Sequence, residues 1–143
     1  MAEALKLAKR AQELGEVPVG AVVVKQGRII GEGHNQPRCQ HDPSAHAEIV
    51  AIRDACQNLK SDRLEGCDLW VTLEPCTMCA GAIAHARVGR LYYGAADPKG
   101  GAVESGVRFF EQESCHHAPE VYSEIEEAEA STLLKAFFQS RRR

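Results

Sequence analysis

Apolar residues recur at helical spacing from residue 2 to residue 14, and Gly15 follows as a helix stop. Residues 17–25 then form a nearly continuous β-branched run, which is typical of a strand. The pair Gln26-Gly27 separates this run from residues 28–34, where a second strand is predicted. The chain is therefore predicted to begin with a helix and a β-hairpin.

A second helix is predicted to open at Asp42-Pro43-Ser44 and to run to about Asn58. Its apolar stripe, which we expect to be buried against the sheet, consists of Ala45, Ile49, Ile52 and Cys56.

Strands and helices alternate in the rest of the chain. Strands are predicted over residues 68–73, 90–95 and 120–122, and helices over residues 76–86 and 123–142. One hairpin followed by alternating strands and helices is typical of α/β proteins. We therefore predict a single α/β domain over residues 1–143, with three α/β/α layers and a mixed five-stranded sheet.

The composition narrows the classes of protein that fit. Of 143 residues, 44% are hydrophobic and 26% are charged, which argues against disorder. No apolar run approaches membrane-spanning length and no secretory leader opens the sequence, so we expect a cytoplasmic protein. The six cysteines fit free thiols in a reducing compartment better than they fit a set of paired disulfides. The net charge of −3 offers no electrostatic case for a nucleic-acid partner.

The motif His46-Ala47-Glu48, followed downstream by Pro75-Cys76-Thr77-Met78-Cys79, carries the chemistry of this chain. One imidazole and two thiols can hold a zinc ion and leave its fourth position open, as in catalytic zinc sites. This pattern, H-x-E followed by P-C-x-x-C, is the signature of zinc deaminases that act on cytosine or adenine. We therefore predict His46, Cys76 and Cys79 as ligands of one Zn²⁺ and Glu48 as the catalytic acid and base.

Other interpretations of the C-x-x-C pair explain less. A structural zinc site would need a fourth protein ligand at similar spacing, and a redox dithiol would need a thioredoxin-like context. Neither accounts for Glu48 beside His46. The cluster Cys115-His116-His117 could suggest a second metal site, but three adjacent residues rarely converge on one ion. For Glu74, which precedes Pro75, we predict a local hydrogen-bonding role at the turn.

The chain closely resembles the bacterial tRNA-specific adenosine deaminases of the cytidine deaminase superfamily. The resemblance runs through almost the whole length, in the segments EVPVGAVVV, GEGHNQP, HDPSAHAEI, VTLEPCTMCAGAIAHARVGRLYYGA, DPKGGA and AFFQSRRR. It implies the cytidine-deaminase-like fold, hydrolysis of the wobble adenosine of a tRNA anticodon loop to inosine with release of ammonia, and a homodimer.

The resemblance also implies substrate contacts. Asn35 would contact the flipped nucleoside, Asp97 and Lys99 would contact neighbouring nucleotides, and Phe137 or Phe138 would pack near the substrate path. Each has a plainer interpretation, since Asn35 and Asp97 could be turn residues and the phenylalanines could belong to the core.

Some features depart from the family pattern and keep other functions open. Val103-Glu104-Ser105 stand where many members have small residues, and only Arg141–Arg143 form a basic tail that could contact phosphate. A deaminase of a free nucleobase or nucleoside, of guanine or cytosine type, is therefore the alternative. A non-catalytic zinc-containing RNA-binding subunit is a third interpretation, against which Glu48 argues, because such a subunit would not need it.

Overall fold

The computed structural model describes residues 1–141, which form five α-helices, one short 3₁₀ helix and five strands. The elements follow in this order: α1 (Ala2–Glu13), β1 (Gly20–Lys25), β2 (Arg28–His34), α2 (Pro37–Gln40), α3 (Ala47–Leu59), β3 (Asp68–Leu73), α4 (Thr77–Ala86), β4 (Arg90–Ala95), the 3₁₀ helix (Phe109–Glu111), β5 (Glu120–Tyr122) and α5 (Glu127–Arg141). None of the helices within residues 1–141 is both long and apolar enough to cross a membrane.

The five strands form one mixed sheet in the order β2-β1-β3-β4-β5. Strand β1 pairs antiparallel with β2 and β3, whereas β3, β4 and β5 run parallel. Helices α1 and α5 contact each other and cover one face, and α3 and α4 cover the other. The prediction of a three-layer α/β/α fold with a mixed five-stranded sheet is confirmed.

The predicted burial of Ala45, Ile49 and Ile52 is confirmed, but the sheet-facing surface of α3 also includes alanines that were not predicted. The side chains of Ala47, Ala51 and Ala55 are fully buried, whereas Cys56 is only partly buried. A Cβ atom added to Gly31 would lie 2.5 Å from the carbonyl oxygen of Ala51, so helix and strand backbones approach closely. Small residues on both elements permit this approach, while the larger Ile49 and Ile52 are buried and also line a surface groove.

The starts of two helices were also predicted too early. The predicted helices included His46 and Cys76. In the structure each is instead the extended N-cap residue just before α3 or α4, with ψ of 155° and 177°. The predicted last helix begins at Glu127 rather than at residue 123, and its predicted end at residue 142 lies outside the described residues. The short helix α2 and the 3₁₀ helix were not predicted.

Candidate metal centre and active site

Three potential metal ligands meet at the starts of α3 and α4. The Nδ1 atom of His46 lies 3.6 Å from the Sγ atoms of both Cys76 and Cys79. Their ligand atoms all lie within 4.8 Å of one another, and this is the one group of three or more such side chains found in residues 1–141. All six cysteines are free, so neither thiol is committed to a disulfide.

The spacing of these atoms fits zinc. With Zn–N and Zn–S bonds of about 2.1 and 2.3 Å at a tetrahedral angle, the nitrogen and a sulfur would lie about 3.6 Å apart. The observed separation is 3.6 Å to each sulfur. One imidazole and two thiols are also a donor set that zinc takes in catalytic sites. The residues present therefore fit a zinc ion with an open coordination position.

The thiols differ in their proton affinity. Hydrogen bonds from Cys79 and His46, with the Cys79 contribution the larger, lower the pKa of Cys76 to about 4. The neighbouring Cys76 sulfur and then burial raise the pKa of Cys79. Two thiols side by side resist losing both protons, and a cation between them relieves that repulsion. The pair is therefore suited to bind a cation.

Glu48 lies in the first turn of α3 and is 4% exposed. Burial raises the pKa of its carboxyl group to about 7, and the nearby Cys76 adds to the effect. Glu48 is outside the group of converging ligand atoms. A carboxyl group whose pKa lies near neutrality is suited to accept a proton and return it, which is the role predicted for Glu48.

Asn35 lies beside the metal centre. Its side-chain Oδ1 accepts a hydrogen bond of 2.8 Å from the backbone N–H of Ala47, next to His46. Its own backbone N–H donates to the carbonyl oxygen of Val19. The hydrogen bond from Ala47 to Asn35 satisfies one of the free N–H groups at the start of α3. Nδ2 is the donor with which Asn35 would contact a nucleoside, and that role stays a prediction.

Three of the remaining predicted substrate residues line one cavity of about 760 Å³, namely Asp97, Lys99 and Phe138. Leu73 and Leu134 also line it, but the metal ligands do not. Leu73 directly precedes Glu74, so the cavity borders the turn that leads into Cys76.

The two phenylalanines have different surroundings. Phe138 is 46% exposed, whereas Phe137 is 7% exposed and belongs to the core. The guanidinium group of Arg141 stacks on the Phe137 ring at 4.9 Å and donates to the carbonyl oxygen of Gly15. Of the basic tail considered for phosphate contact, Arg141 therefore makes contacts within the protein, and Arg142 and Arg143 lie outside the described residues.

The alternative metal cluster makes local contacts instead. The thiol of Cys115 donates to the carbonyl oxygen of His117, and the ring of His117 forms a hydrogen bond of 2.8 Å with the carbonyl oxygen of Val88. His116 packs at a tilt against His85 with ring centroids 5.4 Å apart. The side chains of this segment thus help to hold it against α4 and the start of β4.

The hydrogen bonds between one buried carboxylate and a distant loop were not predicted from the sequence. Glu74 was predicted to bond locally, but it also accepts hydrogen bonds from residues 97 to 105, on the loop that carries Asp97 and Lys99. The signal available was a glutamate between an apolar strand and a proline, a position where an uncompensated charge would be costly.

Comparison with known proteins identifies the family. Residues 1–95 match the cytidine and deoxycytidylate deaminase zinc-binding region. The chain is 59% identical to the tRNA-specific adenosine deaminase of Agrobacterium fabrum, over 97% of this chain and 91% of that protein. The chain belongs to the tRNA-specific adenosine deaminase family. This confirms the resemblance from which the function and the enzyme class were predicted.

Further relatives agree with this family assignment. The tRNA-specific adenosine deaminase of Haemophilus influenzae is 52% identical over 99% of this chain and 83% of that protein. A structure solved in studies of A-to-I editing by tRNA:A34 deaminases at the wobble position of transfer RNA superimposes with a TM-score of 0.91. The two chains are 60% identical, and the superposition covers 92% of this chain and 95% of the other. The chain is therefore similar to these deaminases in both sequence and fold.

Proposed function

We propose that this chain hydrolyses the wobble adenosine of a tRNA anticodon loop to inosine, consuming one water and releasing one ammonia. The observation that carries the proposal is the buried carboxylate of Glu48 beside three converging metal ligands, in a member of the tRNA-specific adenosine deaminase family. A non-catalytic zinc subunit would have no need of a buried carboxylate there, since burying one is costly.

His46, Cys76 and Cys79 would hold one zinc ion per chain. Zinc in such a site supplies a Lewis acid that lowers the pKa of water to about 7. The protein contributes the rigidity of the site, because His46 and Cys76 immediately precede helices that pack in the core with the sheet, and Cys79 lies in the first turn of one of them. The positive end of α4 also favours the thiolate forms of both cysteines.

Glu48 would move the protons of the reaction. Its carboxylate accepts a proton from the attacking water and delivers it to the ring nitrogen beside the reacting carbon. It then takes the second proton, from the hydroxyl group that water has added to the reacting carbon, and delivers it to the amino group that leaves as ammonia. Its pKa of about 7 supports both roles near neutral pH, because neither protonation state is strongly favoured.

The substrate would lie along the 760 Å³ cavity that Asp97, Lys99 and Phe138 line. Phe138 offers an exposed aromatic face on which a base could stack, and Lys99 offers an exposed cation for a phosphate. The reacting base must leave its stack to reach the metal ligands, which costs least in an unpaired loop. These features support an anticodon loop over a duplex.

We also infer two properties of the assembly and its setting. The chain would form a homodimer, for which the exposed apolar side chains of Met78 on α4 and Val107 near the 3₁₀ helix offer contacts. It would also act in the cytoplasm, because its proposed substrate is a tRNA. Light scattering at micromolar concentration tests the first property, and a monomer mass would contradict it.

The decisive experiment compares substrates. An anticodon stem-loop with adenosine at the wobble position should release ammonia and yield inosine, whereas the same adenosine in a duplex should not react. Free guanine and cytosine serve as the comparison for the alternative function. Ammonia from a free base, with none from the stem-loop, would reject the tRNA proposal in favour of a nucleobase deaminase.

A further inference from the structure

One buried carboxylate holds the loop that borders the cavity. Glu74 is 2% exposed, and its Oε1 atom accepts hydrogen bonds from the backbone N–H of Asp97 at 3.0 Å and the hydroxyl group of Ser105 at 2.9 Å. Its Oε2 atom accepts three more, at 3.0, 2.9 and 2.9 Å, from the backbone N–H groups of Val103, Glu104 and Ser105. A single side chain therefore binds both ends of the segment 97–105.

These hydrogen bonds are of a strong kind. Bonds to an ionised acceptor are about twice as strong as neutral ones. Three successive N–H groups that converge on one oxygen also form an anion-binding concavity. The carboxylate is the one charge placed to satisfy them, so the conformation of residues 103–105 depends on it.

The backbone around Glu74 joins this loop to the segment Glu74-Pro75-Cys76, which carries the first cysteine ligand. The N–H of Glu74 donates to Ala95 at 2.8 Å, and the carbonyl oxygen of Pro75 accepts from Ala102 at 2.9 Å. Cys76 follows directly, and the proline restricts the backbone between Glu74 and the ligand. The cavity loop and the first cysteine ligand are thus fixed to the same short segment.

Gly101 completes the attachment by its lack of a side chain. A Cβ atom at this position would lie 2.5 Å from the Cδ atom of Glu74 and 2.6 Å from the carbonyl oxygen of Asp97. Real Cβ atoms essentially never come this close to other atoms. The loop therefore passes the carboxylate at a distance that only glycine permits.

We propose that Glu74 is a positioning residue for substrate binding. It fixes the segment 97–105, and with it Asp97 and Lys99, relative to Cys76, so that the nucleotide contacts and the metal centre keep one geometry. The inference rests on the proposed function, because it assigns the loop to RNA. It assigns no direct contact between Glu74 and the substrate.

The variant Glu74→Gln tests this inference with little change in shape. Its amide group replaces one acceptor with a donor, which would face N–H groups that are themselves donors. Amide hydrogen exchange of a peptide spanning 97–106 should become faster, and zinc content should stay at the wild-type level. The apparent KM for the stem-loop should rise, and kcat/KM should fall by about 100-fold, the scale of a small misplacement of substrate.

Further variants separate positioning from general damage. Glu74→Asp keeps the charge and should restore part of the loss. Gly101→Ala keeps the carboxylate but displaces the loop, so it should raise KM as well, and the double variant should lose less than the sum of both. Glu113→Gln, at an exposed glutamate, is the matched control and should change none of these values.

The outcomes distinguish this inference from the proposed function. If the wild-type protein fails to deaminate the stem-loop, the proposed function is rejected. If Glu74→Gln leaves the exchange of residues 97–106 unchanged, the positioning inference is rejected, whatever the activity. Loss of zinc in Glu74→Gln, or a fall in kcat with KM unchanged, would also reject it, because the carboxylate would then support the metal centre instead of the loop.

Discussion

The Nδ1 atom of His46 lies 3.6 Å from the Sγ atom of Cys76, although the two residues are 30 positions apart in the chain. Each is the extended residue that immediately precedes its helix. The contact therefore brings the starts of α3 and α4 together, and an ion bound there would cross-link two helices that lie on the same face of the sheet.

Replacing Cys76 with alanine should remove zinc and lower thermal stability together. Part of the metal-binding energy is folding energy, because the unfolded chain does not hold the ligands in place. A metal at about 1,000 times its Kd stabilises a protein by about 4 kcal/mol. In a chain of this size that corresponds to a fall of about 8–16 °C in Tm. Elemental analysis and thermal melts, with and without a chelator, measure both effects.

His46→Ala and Cys79→Ala should behave in the same way. The exposed Cys39 lies outside the ligand group, so Cys39→Ser is the matched control and should keep its zinc. Cys115→Ala should keep it too. If chelation leaves Tm unchanged, the ion contributes nothing to folding.

Glu48→Gln is expected to keep zinc and to lose deamination. The glutamine side chain has the same shape but cannot transfer the protons, and general acid–base catalysis typically contributes about 10²–10⁴-fold. Zinc content and ammonia release from the stem-loop are the measurements. The exposed Glu65 provides the control variant Glu65→Gln. Zinc loss in Glu48→Gln would make Glu48 a ligand, and undiminished turnover would remove its catalytic role.

The sequence pattern was sufficient to predict the bounds of four of the five strands. Periodicity and the turn at Gln26-Gly27 predicted β2 to β5 with their observed bounds. The strand β1 starts three residues later than predicted, at Gly20, because Pro18 lacks an N–H group and the residue before it is restricted. His46, Cys76 and Cys79 could be predicted as ligands because three side chains with distinctive chemistry occur at a spacing that few other sites use, and the structure brings them together.

Close approach of backbones could not be predicted from the pattern. The predicted stripe of α3 correctly included the buried Ile49 and Ile52, but it omitted Ala47, Ala51 and Ala55, where the helix approaches the glycines of β2 most closely. The reach of Glu74 was missed for a related reason. Most of its partners are backbone N–H groups of residues 97–105. Every residue except proline has such a group, so the amino-acid sequence does not show which of them will donate to Glu74.

Gly33→Ala tests the close contact of α3 with β2. The added Cβ atom would lie 2.4 Å from the carbonyl oxygen of Ala47 and 2.6 Å from the nitrogen of Ala51, and backbone atoms cannot rotate away. The free energy of unfolding, measured in urea, should fall by about 1–3 kcal/mol, as for other overpacked sites.

Gly81→Ala is the control for this substitution. Gly81 lies within α4, and the nearest atom to its added Cβ would be Cζ of Phe109 at 3.9 Å. Alanine should therefore stabilise the helix by roughly 0.5–1 kcal/mol. Equal losses in the two variants would contradict the assignment of Gly33 to a close contact.

The carboxylate of Glu16 should support the fold only at higher pH. It accepts hydrogen bonds from the backbone N–H groups of Cys39 at 2.8 Å and Arg38 at 3.4 Å. Burial alone would raise the pKa of Glu16, but these bonds, with that from Cys39 the larger, outweigh it and hold the pKa below the ordinary value of 4.5. A depressed pKa means that this stabilisation is fully present above the unfolded value and is lost as the pH falls through the folded value.

The difference in unfolding free energy between the wild type and Glu16→Gln should therefore shrink in acid. It should be largest above the ordinary pKa of 4.5 and should decrease below it. Urea unfolding at several pH values measures the difference, and Glu13→Gln, at an exposed position on α1, is the control. A difference that does not change with pH would show that the carboxylate is not the stabilising form.

Lys99→Ala should weaken RNA binding because it removes a cation from the substrate path. Lys99 is exposed and lines the cavity, and the net charge of −3 makes local cations the source of any attraction to RNA. The apparent KM for the stem-loop should rise while zinc content stays constant. The logarithm of affinity should also depend less steeply on the logarithm of salt concentration, by about 0.7 for each phosphate of a single strand that is no longer neutralised. Lys6→Ala, at a lysine on α1 that pairs with Glu3, should leave both the KM and the salt dependence unchanged. An unchanged salt dependence in Lys99→Ala would place the phosphate-binding cations elsewhere and would remove Lys99 from the substrate path.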